Sequence, residues 1–165
     1  ADALVHLHDW AHTFVAAGNA EPLPCAHGED LTPLLRNPDA GAEQMPNHIL
    51  NCYYGGEFLY TQRIAIGHRY KYVFNGFAKD EFYDLQEDPG EIRNVIDEPA
   101  YADAVVETRD ALWELMIRFD DPYLHHRYGA ARYLPGHSED LHRVHQSSIA
   151  TKVDRYFAHW RTTAS

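Results

Sequence analysis

Cysteine, clustered positive charge and long apolar runs are all scarce in this 165-residue sequence, and each shortage removes a class of protein. Two cysteines, Cys25 and Cys52, cannot build the disulfide framework of a small secreted scaffold. They read as buried or partly buried free thiols, with a bridge between them as the alternative that an oxidising compartment would favour. Lys and Arg total 14 against 25 Asp and Glu, a net charge of −11, and the cations never gather beyond isolated pairs. Nucleic acid and anionic membrane surfaces are held by a concentrated cationic footprint, so neither is an expected partner. No apolar run approaches the ~20 residues that crossing a bilayer takes. The chain opens Ala1-Asp2-Ala3 without an initiator methionine, which is the expectation for a segment cut from a longer protein.

What is present is an ordinary apolar content of 45%, enough for one globular domain. Asp9 reads as an N-cap, and Trp10-Ala11-His12-Thr13-Phe14-Val15 as a helical run closed by Gly18. Pro, Gly, Asp, Ala and Gln between Asn37 and Pro46 mark a loop. Ile49–Tyr54, Phe58–Ile66, Tyr70–Asn75 and Glu81–Leu85 are aromatic and β-branched at strand length. Gly67-His68 and Asn75-Gly76 fall where hairpin turns belong. Asp88-Pro89-Gly90-Glu91 has the chemistry of a turn. Glu98-Pro99 opens a helix to about 119 whose inward stripe is expected to be Val105, Thr108, Leu112, Leu115 and Phe119. Glu107, Arg109, Asp110 and Arg118 should face outward. Asp120-Asp121-Pro122 should stop it. A second stripe, Leu141, Val144, Ile149, Val153, Phe157 and Trp160, predicts a tail helix from Ser138 that must dock on something. The expected fold is α+β: a small antiparallel meander of three or four strands, covered by one amphipathic helix, with additional terminal helices.

The stretch from Asp80 to Asn94 resembles the E-L-Y-D-L-x-x-D-P-x-E-x-x-N signature near the C-terminus of sulfatases. Glu81, Tyr83, Asp84, Leu85, Asp88, Pro89, Glu91 and Asn94 match, with Phe82 in the place of leucine. Arg69-Tyr70-Lys71-Tyr72-Val73-Phe74-Asn75 is similar to the R-Y-K-Y-V-x-N strand that precedes it. Asp9 to Gly18 resembles the family's V-D-x-x-P-T-L-L-x-x-A-G helix, with His12 where proline is usual and one residue fewer before the glycine. His27 to Leu35 resembles D-G-x-S-L-x-P-L-L through Gly28, Leu31, Pro33, Leu34 and Leu35. The likeness runs over about residues 4–122.

The resemblance implies a division into 1–40, the end of a catalytic region and a linker; 41–122, the C-terminal subdomain; and 123–165, a helical extension. It implies a parent enzyme in which a formylglycine hydrate attacks the sulfur of a sulfuric ester. A divalent cation, calcium or magnesium, stabilises the charge, held by Asp and Asn residues of an N-terminal catalytic domain. That domain is the implied partner. The formylglycine arises from C-x-P-S-R or S-x-P-S-R, and neither motif occurs here. Cys25 and Cys52 lack the proline two residues on and the arginine four on. The chain by itself is therefore expected to hold no catalytic or metal residue and to be inactive. Relatives acting on phosphonate or phosphate esters share the scaffold and form one alternative. A non-catalytic interaction module, including a homodimer, forms the other.

Within the chain, some side chains invite a chemical reading. His8 and His12 are four apart, and His142 and His145 three apart, spacings that put two imidazoles on one helix face. Neither pair has a third ligand at fixed spacing, so surface or cap roles are the plainer expectation. Glu81, Asp84, Asp88 and Glu91 lack the alternate spacing of a calcium loop. Asp84 and Asp88 read instead as acceptors for nearby backbone N–H groups. Most of the aromatics belong to strand packing. Tyr53-Tyr54-Gly55-Gly56 is set apart, because the E-x-H-G-like segment at this place in sulfatases leads into a strand and can face the substrate. Tyr54 and Gly55 are accordingly the candidate residues at the edge of a substrate pocket.

Overall fold

The computed structural model describes residues 2–24, 27–55, 61–76 and 78–125. They fall into two compact units, Ala1–Ile49 and Leu50–Ser165. The expected tail helix, with His142 and His145, lies outside the described residues.

In the first unit, α1 spans Asp9–Ala17, α2 Thr32–Arg36 and α3 Pro38–Ala42. Asp9 is the first helical residue rather than the cap; His8 holds that place without a side-chain bond. The Asp9 carboxylate has another task. It accepts the His6 N–H at 2.5 Å and the Glu29 N–H at 2.9 Å. One turn on, the Thr13 hydroxyl donates to the Asp9 carbonyl at 2.8 Å and accepts the Leu31 N–H at 2.9 Å. The segment 28–31 thus lies against α1 by backbone capture, and a Cβ on Gly28 would stand 2.7 Å from the His8 carbonyl oxygen. The helix closes with Asn19 in the left-handed region (φ 48°), while the Asn19 and Ala20 N–H groups bond the Ala16 and Val15 carbonyls. The glycine expected to end the helix is the residue before. Part of the expected loop at 37–46 is α3, because the Asn37 side chain accepts the Ala40 N–H and Pro38 suits a first helical position.

The second unit is built on a four-stranded sheet, ordered β1 (His48–Tyr53), β2 (Gln62–Gly67), β3 (Tyr70–Asn75) and β4 (Glu81–Asp84). β2 and β3 are antiparallel from Gln62↔Asn75 to Ile66↔Lys71, and β3 and β4 from Tyr70↔Asp84 to Val73↔Glu81. The β2–β3 turn is His68-Arg69, one residue later than expected, with Gly67 still inside its strand. One sheet face carries Arg63, Ala65, Tyr72, Phe74 and Phe82, all buried.

Helix α4 (Ala102–Arg118), entered through a 3-10 turn at Pro99–Tyr101, covers that face. Its buried residues are Val105, Thr108, Arg109, Leu112, Trp113 and Met116. The expected stripe was therefore rotated: Leu115 and Phe119 are half-buried, while Arg109, assigned to solvent, is inside. Stepping by 3.6 residues from Val105 carries the covered arc through 109, 112, 113 and 116, and the bulk of Trp113 and Met116 fixes its centre. Trp113 packs on Phe74 at 6.2 Å, and Tyr101 closes edge-on to Phe82 at 6.4 Å. At the far end Asp120 is left-handed (φ 49°), and the Asp120 and Asp121 N–H groups bond the Ile117 and Met116 carbonyls. Asp120 and Asp121 stop the helix as expected.

Candidate functional site

The signature residues hold one another. Asp84, buried at its strand end, takes the Arg69 guanidinium on Nε at 3.1 Å and on Nη2 at 2.8 Å. It also accepts the N–H groups of Gln86 and Glu87 at 3.1 and 3.4 Å. These bonds hold its carboxyl below the usual range, Arg69 contributing most and burial opposing. Lys71 pairs with Glu91 at 2.5 Å. Glu91 sits in the left-handed region (φ 54°) just after Gly90, its N–H closing the turn onto the Asp88 carbonyl at 3.0 Å. Asp88 accepts the Arg93 N–H at 2.8 Å. Asn94 accepts from the N–H groups of Phe82 and Ile96 and donates to the Asp80 carbonyl, tying the turn back to β4. Tyr83 donates to Glu81 at 2.7 Å, and burial together with that carboxylate pushes its phenol up to about 12. The four carboxylates once grouped by sequence therefore serve four separate partners. The most family-like stretch of the chain is a self-satisfied latch.

A different arrangement stands where β1 ends. Cys52 and Tyr54, two apart, converge with Arg63 on β2 and with Asp121 and Tyr123 after α4. Arg63 is 2% exposed and Asp121 4%. The pair is bidentate, Nε to Oδ2 at 2.6 Å and Nη2 to Oδ1 at 2.9 Å. The remaining Arg63 donors reach the Thr61 hydroxyl (2.7 Å), the Gln62 carbonyl (3.0 Å) and the Tyr54 hydroxyl (3.4 Å). Its guanidinium carbon lies over two rings, 4.8 Å from the Tyr54 centroid and 5.4 Å from that of Tyr123. Asp121 further accepts the Tyr123 N–H at 2.7 Å and the Cys52 thiol at 3.7 Å.

Burial works against the Arg63 charge, but the hydrogen bonds and charge of Asp121 outweigh it, so the guanidinium is held more firmly protonated than usual. Cys52, expected buried or partly buried, is exposed as a residue, yet partial burial of its thiol pushes it up, with Arg63 opposing, which keeps the sulfur protonated. Burial likewise raises the Tyr54 phenol, which stays neutral. Tyr54 nonetheless remains 62% exposed. Gly55 follows with φ 73°, a conformation side chains resist, and turns the chain away from β1.

The structure thus anchors one expected residue, Tyr54, on a pair that sequence reading missed. The available signal was an arginine on the covered side of β2 and a surplus acid just after α4. His8 stacks on His6 at 4.3 Å. Among the described residues, no three His, Cys, Asp or Glu side chains are disposed to hold a metal ion.

Architecture and latch together define the small C-terminal sheet domain of a sulfatase-type hydrolase. The chain belongs to the family described as N-sulphoglucosamine sulphohydrolase, C-terminal, whose model matches residues 1–118. It is 41% identical over 54 residues, 33% of its length, to an uncharacterised sulfatase of Escherichia coli K12, covering 11% of that protein. It is 34% identical over 115 residues, 65% of its length, to a delta 4,5-hexuronate-2-O-sulfatase of Bacteroides thetaiotaomicron, covering 22% of it. Among solved structures it resembles a protein in complex with its substrate D-glucosamine-2-N,6-O-disulfate. There the TM-score is 0.61 at 23% identity, over 68% of this chain and 24% of that one. The chain spans between 11% and 61% of the length of the curated relatives it matches.

Proposed function

We propose that this chain is the C-terminal subdomain of a sulfuric ester hydrolase, inactive by itself, and that it buttresses a catalytic domain of the same parent. In this reading residues 1–40 close the catalytic region, 41–122 form the subdomain proper and 123–165 extend it. Tyr54 and Gly55 border the substrate pocket. The observation that carries the reading is the outer side of α1. Its buried side chains are Asp9 and Thr13, whereas Leu7, Trp10 and Phe14 are 85%, 39% and 67% exposed. A helix that turns polar groups inward and a stacked Trp10–Phe14 pair outward is shaped to be covered by a further apolar surface. A catalytic domain supplies one.

The described residues form no donor set fit for a divalent cation, and Cys52 sits in no formylglycine motif. Nucleophile and cation therefore belong to the rest of the parent in this reading, and this chain contributes support and a pocket edge. The substrate class is a sulfated sugar, by the names of the relatives. The parent gene should encode C-x-P-S-R or S-x-P-S-R upstream and in frame, and its product should release sulfate from sulfated sugars while the 165-residue chain releases none. An upstream region without the motif, or a parent that hydrolyses only phosphate or phosphonate esters, would overturn the proposal.

A further inference from the structure

Tyr54 is an exposed ring that does not move freely. Its inner face lies against the Arg63 guanidinium at 4.8 Å, and its hydroxyl accepts an Arg63 N–H at 3.4 Å. Arg63 is itself immobilised by the bidentate Asp121 and by the Thr61 and Gln62 bonds. With the inner face occupied, the 62% exposure falls on the outer face and edge. The structure therefore presents one flat aromatic surface at fixed orientation, its ordering cost met before any ligand arrives.

The surroundings narrow the ligand. Among the described residues of this unit, the exposed large apolar side chains are Tyr53, Tyr54 and Ile92. Tyr53, the last residue of β1, is exposed beside Tyr54. Among the described residues, Tyr53 and Tyr54 together make too small an apolar patch to dock a protein. A net charge of −11 disfavours stacking of a nucleic acid base, whose phosphates would be repelled. The Arg63 N–H groups are committed to acceptors within the chain and are not offered to a free anion. A neutral ring face with polarised C–H bonds on one side is what the negative face of a tyrosine matches.

We propose that Tyr54 is a stacking platform for the pyranose ring of the sugar, and a specificity-determining residue that reads the ring rather than the sulfate. The proposal rests on the sulfated-sugar reading above, and its test needs no turnover. Saturation-transfer NMR on the 165-residue chain would use D-glucosamine-2-N,6-O-disulfate, unsulfated D-glucosamine and inorganic sulfate as probes. Both sugars should receive saturation on one ring face, with affinities within a few-fold, and inorganic sulfate should not compete. Tyr54→Leu, which loses the ring over Arg63, should lower the melting temperature slightly yet leave the chain folded and weaken sugar binding about tenfold; Tyr54→Phe should retain binding. No transfer to either sugar, equal transfer in Tyr54→Leu, or displacement by inorganic sulfate would each overturn the platform. A parent that binds sugar through Tyr54 but cleaves no sulfate ester would instead sink the enzyme reading and leave the platform standing.

Discussion

The two units of this chain solve the problem of order in opposite ways. Among the described residues of Leu50–Ser165, the large apolar side chains of the core go inward: Tyr72, Phe74 and Phe82 meet Leu112, Trp113 and Met116, and polar groups at the rim pair off. In Ala1–Ile49, the central helix turns Asp9 and Thr13 inward to catch passing N–H groups and leaves Trp10 and Phe14 outside. One unit is held by exclusion of water, each large side chain contributing about 1.5–3 kcal/mol. The other is held mainly by hydrogen bonds, each worth about 1 kcal/mol net. The apolar surplus of that unit faces outward.

The comparison is most easily broken in the sheet unit. Leu112 is fully buried in the core cluster, so Leu112→Ala should cost about 2–5 kcal/mol in urea denaturation. A loss below about 0.5 kcal/mol would place the helix stripe in solvent. In the first unit, Thr13→Val removes the acceptor of the buried Leu31 N–H and should cost about 1–3 kcal/mol. The readout is faster hydrogen exchange at Leu31 with the sheet amides unchanged.

Acid should act on the latch before the core. The folded carboxyl of Asp84 lies below its unfolded value through Arg69. Its contribution is thus complete above the ordinary carboxylate range and is lost as pH falls through the depressed folded value. Urea midpoints measured from pH 6 to 2 should fall in the wild type, and Asp84→Asn should remove that component of the slope. The smallest effect is expected outside α1. Trp10→Gln with Phe14→Gln should change stability by no more than about 0.5 kcal/mol, yet reduce self-association in sedimentation experiments if a second copy covers the helix in the isolated chain.

Legibility followed sequence distance. The backbone-accepting roles of Asp84 and Asp88 were readable because their N–H partners lie within five residues, whereas Arg69 and Lys71, 15 and 20 residues from Asp84 and Glu91, were not read as their partners. The α4 stripe was readable as an element but not in phase, since Trp113, Met116 and Arg109 are placed by what the sheet offers. Asp9 looked like a cap because its role depends on Glu29, 20 residues away. The Arg63–Asp121 pair, 58 residues apart, carried no local signature at all. Tyr54 could be singled out by resemblance, but what holds its ring could not.

That separation of 58 residues has a consequence in time. The β2–β3 and β3–β4 hairpins need only short loop closures, whereas the Arg63–Asp121 contact closes 58 residues and is expected to form late. A contact made after the barrier slows escape rather than entry. Arg63→Met should therefore speed unfolding many-fold in stopped-flow experiments and leave refolding nearly unchanged. The pair beneath Tyr54 is in that sense a brake on opening, and it sets how long the domain, once assembled, stays assembled.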